Sequence, residues 1–178
     1  MPELFTDCLW KNFGAAIDML KNAILLCPDK LWLTDRKFYY LTYHTVIFLD
    51  YYLTYPVSDF NPDLPYTITD AAKLPPDTVD DVMPNQFYSK EDFFIYLSAI
   101  REKCKKLITQ ASEEKLRSRW IEDAEIEMHG LCPTLVVDYS VLEILFYNLR
   151  HVQHHVGQLN MILRQKANEA TPWISHAS

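Results

Sequence analysis

Glycine is almost missing from this chain, with three residues in 178. Tight two-residue hairpins draw on glycine for backbone of positive φ, so a fold made of many short hairpins is disfavoured from the start. Positive charge is also scarce: 17 Lys and Arg face 24 Asp and Glu, for a net charge of −7. The richest basic stretch, Arg101 to Lys106, is interrupted by Glu102 and Cys104 and reads as a solvated helix face. A surface of this kind repels phosphate backbones, so no nucleic-acid partner is expected. The four cysteines, Cys8, Cys27, Cys104 and Cys132, lie far apart and form no C-x-x-C pair. Neither a zinc knuckle nor a redox dithiol is therefore signalled, and buried free thiols in a reducing cytosol are expected. No apolar run approaches the roughly 20 residues that a membrane span needs. The opening Met-Pro-Glu-Leu-Phe-Thr-Asp has neither the basic stretch nor the apolar core of a secretory leader, so the expected location is cytoplasmic.

What the chain does contain is helical periodicity. Hydrophobic residues make up 49% of it, enough for one substantial core, and its length fits a single domain over residues 1–178. A first helix is predicted from about Glu3 to Leu26, with Leu9, Phe13, Ala16, Ile17, Leu20 and Ile24 on one stripe, ending before Pro28. Asp35 is placed to cap a second, from about Arg36 to Tyr55, which Pro56 ends. Ser89 with Asp92 resembles a capping box and opens a third, along which Phe93, Leu97, Ile100, Cys104 and Leu107 recur. Asp138 is expected to cap a fourth, running to about Lys166, where Leu142, Leu145, Leu149, Val152, Val156, Leu159 and Leu163 make a regular 3, 4 repeat. The fold class expected is all-α, a four-helix bundle. Between the second and third helices lies a long stretch holding Pro56, Pro62, Pro65, Pro75, Pro76 and Pro84, read as a crossover or a wall over a site. The segment 112–137 is ambiguous, with a short helix conceivable over Arg119 to Met128.

The residues with the most chemistry are histidines. His151 and His155, at i and i+4, project from one face of the fourth helix one turn apart, so one ion could be held by both. On the second helix, His44 falls in the stripe of Tyr40, Leu41, Ile47, Phe48, Tyr51 and Tyr55, aimed inward, where a polar ring needs a partner. His154 falls on the opposite side of its helix and is expected to face solvent. An H-x-x-x-H by itself is more often a pair of ordinary helix residues than a metal site, and a single core histidine is more often hydrogen-bonded to a carbonyl or a tyrosine. The conjunction of all three makes a three-histidine metal site the sharper reading. Asn148, Gln158 and Tyr40, each one turn from a histidine, are candidate outer partners, and Glu143, Asp50 and Tyr147 are acid/base candidates among which nothing chooses. Gly157, inside a helix, suggests either close approach by another helix or subunit or an exposed helix glycine that is simply tolerated.

The run Leu149-Arg150-His151-Val152-Gln153-His154-His155-Val156-Gly157-Gln158-Leu159, with an upstream helical histidine and Pro172-Trp173 near the end, resembles the DinB/YfiT-like superfamily. The resemblance implies a four-helix bundle over essentially the whole chain, with His44, His151 and His155 as ligands of zinc, nickel or iron. It also implies a low-molecular-weight thiol as co-substrate, a small-molecule acceptor and a homodimer. The function expected is a metal-dependent enzyme that activates a thiol or water, an S-transferase or hydrolase. The alternative is a non-catalytic helical binding or dimerisation protein with a structural or vestigial metal site. A third reading has no metal and three satisfied core histidines.

Overall fold

The computed structural model describes residues 3–178. The chain is mostly helical: α1 (Glu3–Leu26), α2 (Asp29–Thr34), α3 (Arg36–Tyr52), α4 (Lys90–Gln110), α5 (Glu113–Arg117) and α6 (Val141–Ala167). A small antiparallel ribbon pairs β1 (Tyr66–Ile68) with β2 (Val82–Pro84), Thr67 opposite Met83. No helix among the described residues is long and apolar enough to cross a membrane. α1 packs on α4 and α6, and α3 packs on α6 and α4. The apolar stripes named above meet there: Phe13, Leu20, Ile24, Phe93, Val152, Leu159 and Leu163 are fully buried.

Local sequence explains the boundaries. The Asp35 carboxylate accepts from the Phe38 amide at 2.9 Å, occupying a donor that the first turn of α3 leaves free. Ser89 and Asp92 form the reciprocal capping box at the start of α4. α3 stops at Tyr52, three residues earlier than the periodicity predicted. At the start of α6 the expectation fails: Ser140, not Asp138, is the cap. The Ser140 side chain accepts from the Glu143 amide while Glu143 reaches back to the Ser140 backbone. Asp138 has no acidic residue three positions on and is 92% exposed in its side chain. Over 112–137 the only α-helix is the five-residue α5, and Arg119 to Met128 holds no more than a single 3-10 turn at Asp123–Glu125. Short α2, between Pro28 and Asp35, was not anticipated.

One further expectation is corrected, and one is narrowed. Cys27 and Cys104 are buried as free thiols, but Cys8 is exposed and Cys132 half-buried. Burial pushes the Cys27 thiol up to about 11, far from nucleophilic range. Gly157 has no close neighbour within the chain, since a Cβ there would meet nothing within 4 Å. The glycine that answers to close approach is Gly14, where a Cβ would fall 2.5 Å from Ala177, on the tail that docks along α1.

From Leu53 to Ser89 the chain runs as a strap between α3 and α4. Its two ends are pinned to the core. The Tyr43 hydroxyl donates to the carbonyls of Leu64 and Pro65, and the Trp32 indole N–H donates to the Tyr88 carbonyl. Leu64 and Val82 are buried, and no residue between them is.

Candidate metal centre

α3 and α6 pack side by side, and this contact turns three remote histidines toward one point. His151 and His155 stand one turn apart on α6, and His44 faces them from α3. The Nε2 atoms of His44 and His155 lie 3.0 and 3.1 Å from Nε2 of His151. One ligand atom from each residue falls within 4.8 Å of the others, so the group could hold a metal ion. An ion about 2.1 Å from each nitrogen sets neighbouring donors roughly 3.0 Å apart at right angles and about 3.4 Å apart at the tetrahedral angle. The two spacings to His151, 3.0 and 3.1 Å, lie in that range. His44 and His155 are buried and His151 is nearly so, while His154 is exposed and outside the group.

The outer nitrogens decide where the protons sit. His44 Nδ1 meets the Asp80 carboxylate at 2.7 Å, and His155 Nδ1 meets the Gln158 amide oxygen at 2.7 Å. Both oxygens only accept, so each Nδ1 carries the proton and each Nε2 turns a lone pair inward. Two lone pairs therefore face His151, whose single ring proton can satisfy only one of them well. A cation at the meeting point satisfies all three. His151 then keeps its proton on Nδ1, a buried atom with no hydrogen-bond partner.

Desolvation keeps His151 and His155 uncharged. Burial first, then the neighbouring His155 and His44, hold His151 down to about 2. Burial likewise holds His155 down to about 4, against the opposing hydrogen bond of Gln158. Neutral imidazole is the form that binds metal. Aromatic rings close the inner side: Phe48 lies 4.6 Å from His44 between ring centroids, Tyr52 lies edge-on to His151 at 5.9 Å, and Tyr147 is nearly parallel to it at 6.4 Å. Burial raises the Tyr52 hydroxyl well above the usual phenol range, which removes it from proton transfer near neutrality. A cavity of about 400 Å³ lies against His155 and Gln158, its walls completed by Lys37, Thr78, Met161 and Gln165.

Of the outer candidates, only Gln158 takes the part expected of it. Asn148 donates to the Leu49 carbonyl at 2.9 Å and Tyr40 lies against Tyr39. Glu143 is engaged in the α6 capping box and Asp50 in a network with Tyr96 and Lys103, leaving Tyr147 beside the cluster. Asp80 was missed. It lies 36 residues from His44, in a segment with no periodicity, and nothing in its immediate sequence marks it as the imidazole's partner. No protein-family model, curated protein or solved structure matches the chain.

Proposed function

We propose that this chain is a metal-dependent enzyme of the DinB/YfiT-like type, a four-helix bundle in which His44, His151 and His155 hold a divalent zinc, nickel or iron ion. The reading is supported chiefly by the convergence of three imidazoles, two of them with outer acceptors at Nδ1. An ion on three neutral nitrogens keeps coordination positions open, acts as a Lewis acid and lowers the pKa of a thiol or water placed there. The chain's own residues prepare the site. Asp80 and Gln158 orient two ligands, Phe48 and Tyr52 keep water from the inner side, and the cavity beside His155 has the size of a small-molecule pocket. The reaction is transfer of a low-molecular-weight thiol to a small electrophile or, with water in its place, hydrolysis. We also propose a cytoplasmic homodimer.

A structural or vestigial site is the second reading. Among the described residues no fourth His, Cys, Asp or Glu joins the group, which leaves the shell open and favours reactivity. Metal analysis of untagged protein tests the assignment. Wild type and His154→Ala are expected to retain about one ion per chain, and His44→Ala, His151→Ala and His155→Ala to lose it. Equal metal in all five proteins overturns the assignment. Thiol consumption and ester hydrolysis, followed with and without added metal, then separate enzyme from structural module: no metal-dependent turnover of either kind favours the module.

A further inference from the structure

The strap's outer part is held to the body by one polar contact, and that contact is made to a candidate metal ligand. From Thr67 to Asp81 every residue is exposed or half-buried. The backbone and side-chain hydrogen bonds of this tip close on itself: Thr69 N–H to the Asp81 carbonyl, Lys73 N–H to the Asp70 carbonyl, Ala72 N–H to the Asp70 carboxylate and Thr78 hydroxyl to the Pro75 carbonyl. Among the described residues, the one hydrogen bond from this tip to a helix is Asp80 to His44. The carboxylate is shared between two duties. One oxygen accepts from the Val82 amide at 3.1 Å, fixing Asp80 to the start of β2, and the other accepts from the His44 Nδ1–H at 2.7 Å.

We propose that Asp80 is a positioning residue that couples docking of the strap tip, residues 67–81, to metal occupancy of the three-histidine centre. The inference rests on the metal-site reading above. With a cation on Nε2, electron density is drawn from the imidazole, and the opposite N–H becomes a stronger donor to the carboxylate. The tip is then tethered more firmly. In the other direction, a docked Asp80 holds the His44 ring in the orientation and tautomer that present Nε2 to the ion. Linkage makes the two effects equal: the factor by which tip docking raises metal affinity is the factor by which metal stabilises docking. The cavity beside His155 shares this tip, since Asp77, Thr78 and Val79 line it, so the same coupling shapes the pocket wall when the ion is bound.

Zinc alone is the probe, titrated against a chromophoric chelator, with amide hydrogen exchange of residues 67–81 followed with and without zinc. In wild type, zinc is expected to slow exchange in the tip. Asp80→Ala should weaken zinc binding roughly 10- to 100-fold, the usual cost of losing an outer partner, and should abolish the zinc response of the tip. Asp80→Asn keeps the shape and one acceptor, folds without a cavity and should fall between the two. Asp81→Asn removes the neighbouring charge and should behave as wild type. Zinc bound by Asp80→Ala within twofold of wild type overturns the coupling while leaving the metal site standing, and so does a tip whose exchange ignores zinc in wild type. Failure of wild type to bind zinc, nickel or ferrous iron at all removes the metal-centre reading and the coupling with it.

Discussion

α3 carries two buried polar clusters, and they are satisfied in opposite ways. Toward α4, Asp50 receives the Tyr96 hydroxyl at 2.6 Å on one oxygen and the Lys103 ammonium at 2.7 Å on the other, and Lys103 also donates to Thr54. That cluster is electrically paired and its hydrogen-bonding groups are occupied within the chain. Toward α6, the Nε2 lone pairs of His44 and His155 both face His151 Nε2, whose one proton can meet only one of them well, and no cationic side chain lies between them. A polar group buried for structure is completed by the protein itself, because each unmet donor or acceptor costs about 1–3 kcal/mol. A group completed only by something from outside is where a ligand is to be sought. The contrast between these two faces of one helix is the strongest internal argument that the histidines are a site and the aspartate a brace.

The comparison breaks most visibly if the two clusters respond alike to substitution. Replacing any one of His44, His151 or His155 by Ala should weaken metal binding more than the roughly 100-fold upper cost of losing an outer partner. Competition titration with a chelator reads this, with metal content referred to folded protein, because removing a buried imidazole also costs packing and, at His44 and His155, the bonds to Asp80 and Gln158. Asp50→Ala should do the reverse. It strands the Tyr96 hydroxyl and removes a buried ion-pair partner, at a cost of about 2–4 kcal/mol in urea unfolding with metal stoichiometry unchanged. Metal loss in Asp50→Ala at full occupancy of folded protein would erase the distinction.

Acidification separates the faces next. His155 is held down to about 4 and His151 to about 2, both chiefly by burial, whereas in the unfolded chain each titrates near the ordinary imidazole value of about 6.5. Below that value the unfolded state takes up protons that the folded state refuses, so stability present above it is lost as pH falls. The loss grows by roughly 1.4 kcal/mol per pH unit per imidazole, reaching about 2 kcal/mol for each at pH 5. Urea unfolding of the metal-free protein between pH 7.5 and 5 checks this, and His155→Gln should remove one imidazole's share of the slope. An unchanged slope would mean that His155 is not held neutral. The smallest effect is expected at Gln158. Gln158→Leu removes the acceptor that sets the His155 tautomer and should cost about tenfold in metal affinity, with little change in melting temperature.

Much of this was legible in advance, and the failures share a cause. The four long helices follow from 3.6-residue periodicity and from caps such as Asp35 and the Ser89–Asp92 box. The Ser140–Glu143 box is written in the same code, two residues beyond Asp138, which has the right side chain for a cap but no acidic partner three positions on. His44, His151 and His155 could be singled out because helical spacing converts position into direction. Asp80, by contrast, belongs to a strap without a repeat, where direction depends on how the ends are pinned and on a short ribbon that pairs Ile68 with Val82. The same lack of a repeat hid α2 and left 119–128 readable only as a conceivable short helix, where a single 3-10 turn stands.

Residue order alone determined which faces of the long helices are apolar and that three histidines look inward, since both are local consequences of backbone geometry. Only the tertiary structure decided that His44 meets the α6 pair at 3.0 Å, that Asp80 accepts from its outer N–H, and that Asp50 is completed by Tyr96 and Lys103. These depend on the packing of α3 against α6 and on the closure of the strap, contacts between residues 36 to more than 100 positions apart, whose geometry no local pattern encodes.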